Sequence, residues 1–435
     1  MSIQIDGMDV KNKKVLVLGA GISGCSTAWL LKRLGADVTL VEKEEKCGGI
    51  GKTYFLDGSR YELGPHVFHA KEKHTIAFYE KYGARPIKFY AKMSADDTLE
   101  TLIDFPYSVD TIFQLPREIG RAVVQELFEI EKREIDHSTL ETYLQSVVGK
   151  TLYENFNLGY SKKFWGKHPK DIPANAAASW ISLRTTDKRV FLEWQGYPKG
   201  DYNEFMEWVK KDIPMIQANV NGIKKNGSKI LGIQTDEELL TSDLYISTLP
   251  LKSCFPEMSE DLNYVGNIVV AMKLKDGPIL PHGVGSVYFP NKYGFKRLTE
   301  YPAMTDPSYP NLENGTLISF EYNVYPWEKN QLNEKDYIEE TTIACKELCN
   351  QEPLSTRFHY HRDIYPIRNP EQMGKYSKIQ EQVAKYENFF MTGRFGNFKY
   401  VNMNDCIEMS FDLVSELTGK NIDQICKEVD LQLEK

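Results

Sequence analysis

Apolar and polar positions alternate with two different periods along this chain. Val15-Leu16-Val17-Leu18 is a continuous apolar run, the pattern of a strand buried on both faces. Residues 25–34 follow as a helical stretch ending at Gly35, and 38–41 form a second buried run ending on Glu42, so a strand–helix–strand unit is predicted. Between 71 and about 190 the spacing is mostly three and four. Helices are predicted over 119–131 and 138–148, with Ser138 and Glu141 as a capping box and Pro116, Pro169 and Pro173 as punctuation. From 197 to 258 short strands return. A helix over 201–211 precedes strands at 216–220 and 229–234, joined by the turn Lys225-Asn226-Gly227, and a strand at 243–248 that would rejoin the first sheet. Alternation at 267–274, 287–289, 316–322 and 357–361 predicts an antiparallel sheet. A strand at 389–392 and a helix over 404–417 close the chain.

The first unit carries candidate chemistry. Gly19-Ala20-Gly21-Ile22-Ser23-Gly24 sits between the first strand and its helix. Gly19 suits the tight turn, Gly21 a close backbone approach to a pyrophosphate, and Gly24 close packing of helix on strand, while the helix N-terminus offers N–H groups to an anion. Glu42, eighteen residues after Gly24, stands where an acid would bond a ribose hydroxyl, which favours FAD or NAD over NADP. A second pair, Gly48-Gly49, follows six residues later, a placement typical of large flavoproteins, and FAD becomes the expected cofactor. The predicted class is therefore α/β: a discontinuous Rossmann-like FAD-binding domain (1–70, 197–258 and 375–435) with a mainly helical insertion (71–196) and an antiparallel β-sheet substrate domain (259–374).

Bulk properties narrow the class. A chain of 435 residues is too long for one simple core. Its 41% hydrophobic and 26% charged residues are those of a soluble globular protein. A net charge of −8 argues against a nucleic-acid partner. No apolar run reaches the roughly 18 residues of a membrane span, and the polar start is unlike a signal peptide. Seven scattered cysteines suggest reduced thiols and a cytoplasmic location. Cys345 and Cys349 lack a matching ligand pair, so core packing is expected and no metal site.

Three further segments combine rings and cations: Gly64-Pro65-His66-Val67-Phe68-His69, Gly159-Tyr160-Ser161-Lys162-Lys163-Phe164-Trp165-Gly166, and Thr392-Gly393-Arg394-Phe395-Gly396-Asn397-Phe398-Lys399-Tyr400. Aromatic faces can stack a base, and Arg or Lys can hold phosphates. Taken singly, each also fits a core ring, a solvated lysine face or a structural histidine.

In order along the chain, these segments resemble the bacterial UDP-galactopyranose mutases. The resemblance also runs through Phe105-Pro106-Tyr107, the stretch from Val148-Gly149-Lys150 to Pro173, Gln195-Gly196-Tyr197-Pro198, Arg297-Leu298-Thr299-Glu300, Phe320-Glu321-Tyr322 and Tyr365-Pro366-Ile367-Arg368. It implies an isomerase that interconverts the pyranose and furanose forms of a UDP-sugar, UDP-galactose first, through a covalent adduct at N5 of reduced FAD and with no net redox change. It further implies that Arg184 and Arg394 clamp the diphosphate and that His66 lies beside the flavin. Tyr160, Trp165 and Phe156 would line the nucleotide, with Arg297, Tyr322 and Tyr400 as further substrate contacts. Gly19, Gly21, Ser23, Gly24, Glu42, Lys43, Gly49, His66, Gly393, Arg394, Asn402 and Met403 would hold the cofactor. The implied partners are the UDP-sugar, NAD(P)H or another reductant for the flavin, and a second copy in a homodimer. The chain departs from the family where Asn402 and Asn404 replace Asp, Lys399 replaces Arg and Asn157 replaces an aromatic, which leaves the identity of the sugar open. Two other readings stand beside this one: an FAD-dependent oxidoreductase of the amine-oxidase-like fold with net redox chemistry, and a binding protein without catalysis. The set Arg184, Arg394, Tyr160 and Trp165 argues against the first, and an intact fingerprint with His66 against the second.

Overall fold

A computed structural model describes residues 7–130, 134–174, 187–191, 193–305, 311–328 and 332–433. The first apolar run, Lys14–Leu18, is the middle strand of a five-stranded parallel sheet, in the order Met215–Gln217, Asp37–Glu42, Lys14–Leu18, Leu244–Ser247, Phe389–Met391. The central strands are apolar on consecutive residues because both sheet faces are covered. Val15 and Val17 face a core formed with the helices Ile22–Arg33 and Met403–Thr418. Leu16 and Leu18 face a second core with Ile230, Ile233, Tyr376 and Ile379. The sheet draws its strands from three separate stretches of sequence, as a discontinuous Rossmann-like fold requires.

The predicted hairpin is Val220–Asn226 with Lys229–Thr235, turning at Gly227 with φ +60°. The helix expected over 201–211 is Tyr202–Val209, and Asp201 caps it by accepting from the Glu204 N–H at 2.9 Å. The capping box expected at Ser138 and Glu141 is formed one residue later. Thr139 caps Leu140–Val148, and its side chain accepts from the Thr142 N–H at 3.1 Å.

The second large sheet has seven strands, in the order Ser355–Pro366, Tyr264–Leu274, Thr316–Val324, Arg297–Glu300, Val284–Tyr288, Tyr90–Ser94, Leu102–Phe105. Here the expectation for 71–196 needs correcting. That stretch is not only helical, because Tyr90–Ser94 and Leu102–Phe105 extend the sheet expected from 259–374. Their junction with Val284–Tyr288 is parallel, in a sheet that is otherwise antiparallel. Three helices of the insertion, Arg117–Ile130, Leu140–Val148 and Leu158–Trp165, gather at one face of this sheet around Tyr107, Leu144 and Tyr153. Helix Glu334–Cys349 covers the other face, with its Ala344 and Cys345 packed into the core against the sheet. No helix among the described residues is long and apolar enough to cross a membrane.

Candidate active site

At the dinucleotide end, three glycine-bearing segments meet backbone to backbone. Gly19 turns with φ +95°, and a Cβ on Gly24 would lie 1.8 Å from the Gly19 carbonyl oxygen, so no side chain fits there. Gly21 is the N-cap of Ile22–Arg33 and offers no capping side chain, which leaves the first N–H groups of a twelve-residue helix for an anion. The Gly48-Gly49 pair crosses directly over this turn. The Gly48 N–H donates to the Ala20 carbonyl at 2.7 Å, and a Cβ on Gly49 would stand 3.2 Å from the Gly21 Cα. Gly393, with φ +77°, comes so close that a Cβ would sit 2.3 Å from the Ser23 hydroxyl.

Glu42 is buried at the end of its strand and accepts from the N–H groups of Ala20 (2.8 Å) and Glu44 (3.1 Å). A carboxylate keeps lone pairs beyond these two, enough for ribose hydroxyls. Its neighbour Lys43 points outward, with 67% of its side chain exposed. Asn402 caps Met403–Thr418 in a box with Asp405, whose Oδ2 accepts from the Asn402 N–H at 2.7 Å. Asn404 donates to Asp405 Oδ1 at 3.0 Å, and its own buried Oδ1 has no partner. Asp405 thus keeps one carboxylate in the loop where Asn402 and Asn404 stand for the family's acids. The Met403 sulfur borders Gly51.

His66 lies between the cofactor end and the second sheet. Tyr202 donates its hydroxyl to the His66 carbonyl at 2.8 Å and meets the imidazole edge-on, with centroids 5.8 Å apart. Burial, with Arg394 and Arg297 nearby, pushes the imidazole down to about 3, so the ring is neutral. Its buried Nδ1 has no partner. A cradle that any Cβ would fill, a helix N-terminus without a cap and two orphaned polar atoms, His66 Nδ1 and Asn404 Oδ1, fit a flavin dinucleotide.

Beyond His66 the chemistry changes from missing side chains to buried charge. Arg297 grips Glu321 across the strands in bidentate fashion, Nε to Oε1 and Nη2 to Oε2, each at 2.7 Å. Its Nη1 donates to the Tyr288 hydroxyl at 3.1 Å. Tyr160 packs edge-on against Tyr288, with centroids 5.2 Å apart. Arg394 donates its Nε to the Val401 carbonyl at 2.9 Å and lies over the rings of Tyr400 (5.3 Å) and Tyr365 (5.9 Å). Among the described residues Arg394 forms no ion pair with a carboxylate. Trp165 ends the helix Leu158–Trp165, edge-on to Phe164 at 4.9 Å. Gly166 stops that helix with φ +65°, its Cα so close to Tyr325 that a Cβ would lie 2.5 Å from the ring.

Of the residues predicted for the substrate, Arg297, Arg394, Tyr160 and Tyr400 converge, with Trp165 on the same helix as Tyr160. Two do not join them. Tyr322 lies on the opposite side of its strand from Glu321, because successive strand residues face opposite ways. Its hydroxyl pairs with Thr341 of the covering helix at 2.8 Å, so it is a core residue. Phe156 is buried one layer behind Tyr160, against Tyr107, within the wide helical turn Tyr153–Asn157. Arg184 lies outside the described residues. Sequence reasoning missed Glu321, Lys296, Tyr288 and Tyr365 as site residues. The available signal was an Arg opening one strand and a Glu inside the next, at the parity opposite to the apolar Leu298 and Phe320.

A dinucleotide cradle joined to a sheet that buries cations among aromatic rings defines a flavoprotein with a site for an anionic nucleotide. Comparison with known proteins agrees. A Rossmann-like NAD(P)-binding model matches residues 17–82, and the UDP-galactopyranose mutase model matches residues 155–400, more than half of the chain. The chain belongs to the UDP-galactopyranose mutase family. It is 23% identical to a dTDP-fucopyranose mutase of Escherichia coli, over 92% of this chain and 97% of that protein. It is also 23% identical to a UDP-galactopyranose mutase of Mycoplasma genitalium, over 94% and 96%. A crystal structure of reduced UDP-galactopyranose mutase shares the fold, with a TM-score of 0.75 at 17% identity over 97% of this chain and 100% of that one. The protein is therefore an isomerase of the sugar-nucleotide mutase family, with FAD as its cofactor.

Proposed function

We propose that this enzyme interconverts the pyranose and furanose rings of a nucleoside-diphosphate sugar, UDP-galactose first, with no net redox change. The observation that carries this reading is the excess of partly buried cations, Arg297 and Arg394 against the buried Glu321, set among stacking rings beside the flavin cradle. A cationic amine has no use for such a charge, whereas a diphosphate needs it. Reduced flavin, when bound, supplies at N5 the nucleophile for the anomeric carbon.

The chain's own residues do the rest. Arg394, which pairs with no carboxylate among the described residues, holds the diphosphate and stabilises the charge it gains as a leaving group. Arg184 is its proposed partner. Arg297 is kept extended by Glu321 and presents its remaining face beside Tyr160 and Tyr400. Tyr160 and Trp165 offer stacking surfaces to the base, and closure of aromatic side chains around the site keeps water from competing for the sugar. Neutral His66 can orient a polar flavin atom without adding charge. Glu42, Gly49, Ser23, Gly393, Asn402 and Met403 complete the proposed cofactor contacts. We place the enzyme in the cytoplasm, with NAD(P)H or another reductant serving the flavin, and keep 1–70, 197–258 and 375–435 as the flavin domain. A relative named for dTDP-fucopyranose makes the base and sugar the points to test. The dithionite-reduced protein, incubated with UDP-galactofuranose and with dTDP- and GDP-sugars, should yield the isomeric ring form by chromatography. No conversion across that panel would defeat the reading, and net oxidation of a substrate with flavin reduction would favour an oxidoreductase.

A further inference from the structure

Lys296 is the least expected charge in the molecule. Its side chain is 2% exposed, yet it precedes Arg297, another buried cation. Its ammonium donates to Asn323 Oδ1 at 2.5 Å and lies 3.8 Å from Glu321 Oε2. Phe164 and Tyr365 supply ring faces at 5.0 and 5.1 Å. Each neighbour belongs to an element that carries a site residue. Asn323 donates to the Phe164 carbonyl at 2.7 Å, which ties the helix of Tyr160 and Trp165 to the sheet. Tyr365 also lies under Arg394. Lys163, on the same helix, points elsewhere, to the Phe289 carbonyl at 2.8 Å.

The charges do not balance. Both oxygens of Glu321 are taken by Arg297, so Lys296 shares a carboxylate that is already neutralised. With Lys296 protonated the triad carries one excess positive charge, and Arg394 adds another. Burying an ammonium this way is costly unless an anion arrives to use it.

We propose that Lys296 is a positioning residue whose charge answers the negative charge that the diphosphate gains when the sugar–oxygen bond breaks. This deepens the sugar-nucleotide reading and rests on it. Cleavage between the anomeric carbon and the β-phosphate oxygen leaves the electron pair on that oxygen. The diphosphate passes from two formal negative charges to three, while the anomeric carbon is taken by the nucleophile that bound reduced flavin supplies. Return of the diphosphate reverses the change. Lys296 touches only protein groups, and it acts through the carboxylate it shares with Arg297 and across the ring it shares with Arg394. Burial, opposed by Glu321 and reinforced by Arg297, pushes its ammonium down to about 7, so its protonation responds to an added charge nearby.

The experiment compares two ligands that differ by that charge. Affinities of the oxidised holoenzyme for UDP and for UDP-galactose, which does not turn over without reduction, are measured by calorimetry, with dTDP and dTDP-glucose in parallel. Lys296→Met should weaken the free diphosphate roughly tenfold and the sugar ester by less than about threefold, as expected for one buried charge acting at moderate distance. Lys296→Arg should keep the wild-type ratio. Equal losses for both ligands in Lys296→Met would reduce the residue to a structural role and overturn the proposal. Should Lys296→Met not load FAD, the wild type decides. Near pH 8 it should take up more proton on binding UDP than on binding UDP-galactose, read from heats in two buffers, and Lys296→Arg should abolish the difference; equal uptake in the wild type overturns the proposal. Failure of the wild type to bind either nucleotide pair would instead remove the functional reading itself.

Discussion

Replacing Glu321 by Gln tests whether the second sheet is organised around its buried charge. Glu321 is 1% exposed, and Arg297 holds both of its oxygens at 2.7 Å. With charge centres about 4 Å apart and an effective dielectric near 20, their attraction is about 4 kcal/mol. That agrees with the roughly 3–5 kcal/mol lost when one partner of a buried pair is removed and the other is stranded. The substitution strands two cations, since Lys296 leans on the same carboxylate. Glu321→Gln should therefore cost about 3 kcal/mol or more, even though Gln keeps the shape and one acceptor. Arg297→Gln should cost a similar amount by stranding the carboxylate, with Lys296 left as its only cation. The double variant should be less harmed than the sum of the two by about 2 kcal/mol or more, because the second change removes the charge that the first one orphaned. Urea denaturation of the four holoenzymes at one fixed FAD concentration, followed by tryptophan fluorescence, gives the cycle. Losses that add within about 0.5 kcal/mol would mean the pair is not coupled, and the charge-centred account of the site would fall.

Gly24→Ala should give a protein that purifies colourless or nearly so, because its Cβ would overlap the Gly19 carbonyl at 1.8 Å; flavin absorbance per protein measures it, and normal loading would refute the close packing. Arg394→Ala should abolish turnover while leaving flavin bound, and near-normal ring interconversion would remove its assigned role. His66 makes the fold sensitive to acid. Its pKa is depressed from an ordinary 6.5 to about 3, so below 6.5 the unfolded chain takes a proton that the folded one refuses. Stability from this group is full above about pH 6.5 and falls as pH drops toward 3, by about 2 kcal/mol at pH 5. His66→Gln should flatten the decline in melting temperature between pH 7 and pH 5, and an unchanged slope would contradict a buried neutral imidazole.

The parallel sheet was legible because its residues obey one rule at a time. Runs buried on both faces mark its strands, and each fingerprint glycine answers to backbone geometry. The strands at 90–94 and 102–105 were less legible, since they pair with each other locally but join the sheet only through Val284–Tyr288, almost two hundred residues away. Pairing at that distance leaves no local mark. The cap at Thr139 was misread by one residue because Ser138 offers the same hydroxyl. The site was legible where motif residues project into it and illegible where parity decides. Tyr322 and Glu321 are adjacent in one motif, but only the register with Arg297 shows which of them faces the substrate side.

One loop links the two halves of the site. The segment Glu62-Leu63-Gly64-Pro65-His66 passes so near the buried pair that a Cβ on Gly64 would lie 3.5 Å from Arg297 Nη2 and 3.8 Å from the Glu321 oxygens. A Cβ would make only ordinary contacts there; it is the backbone, at φ +151°, a conformation that L side chains rarely adopt, that favours glycine in the turn leading to His66. The cations that suit a diphosphate then constrain the histidine, since the charges of Arg394 and Arg297 oppose a third positive charge on the imidazole. His66 therefore cannot serve as a general acid at neutral pH, and any proton that moves during ring opening must be carried by another group. A neutral imidazole can still donate one hydrogen bond and accept another, which sets orientation without fixing charge.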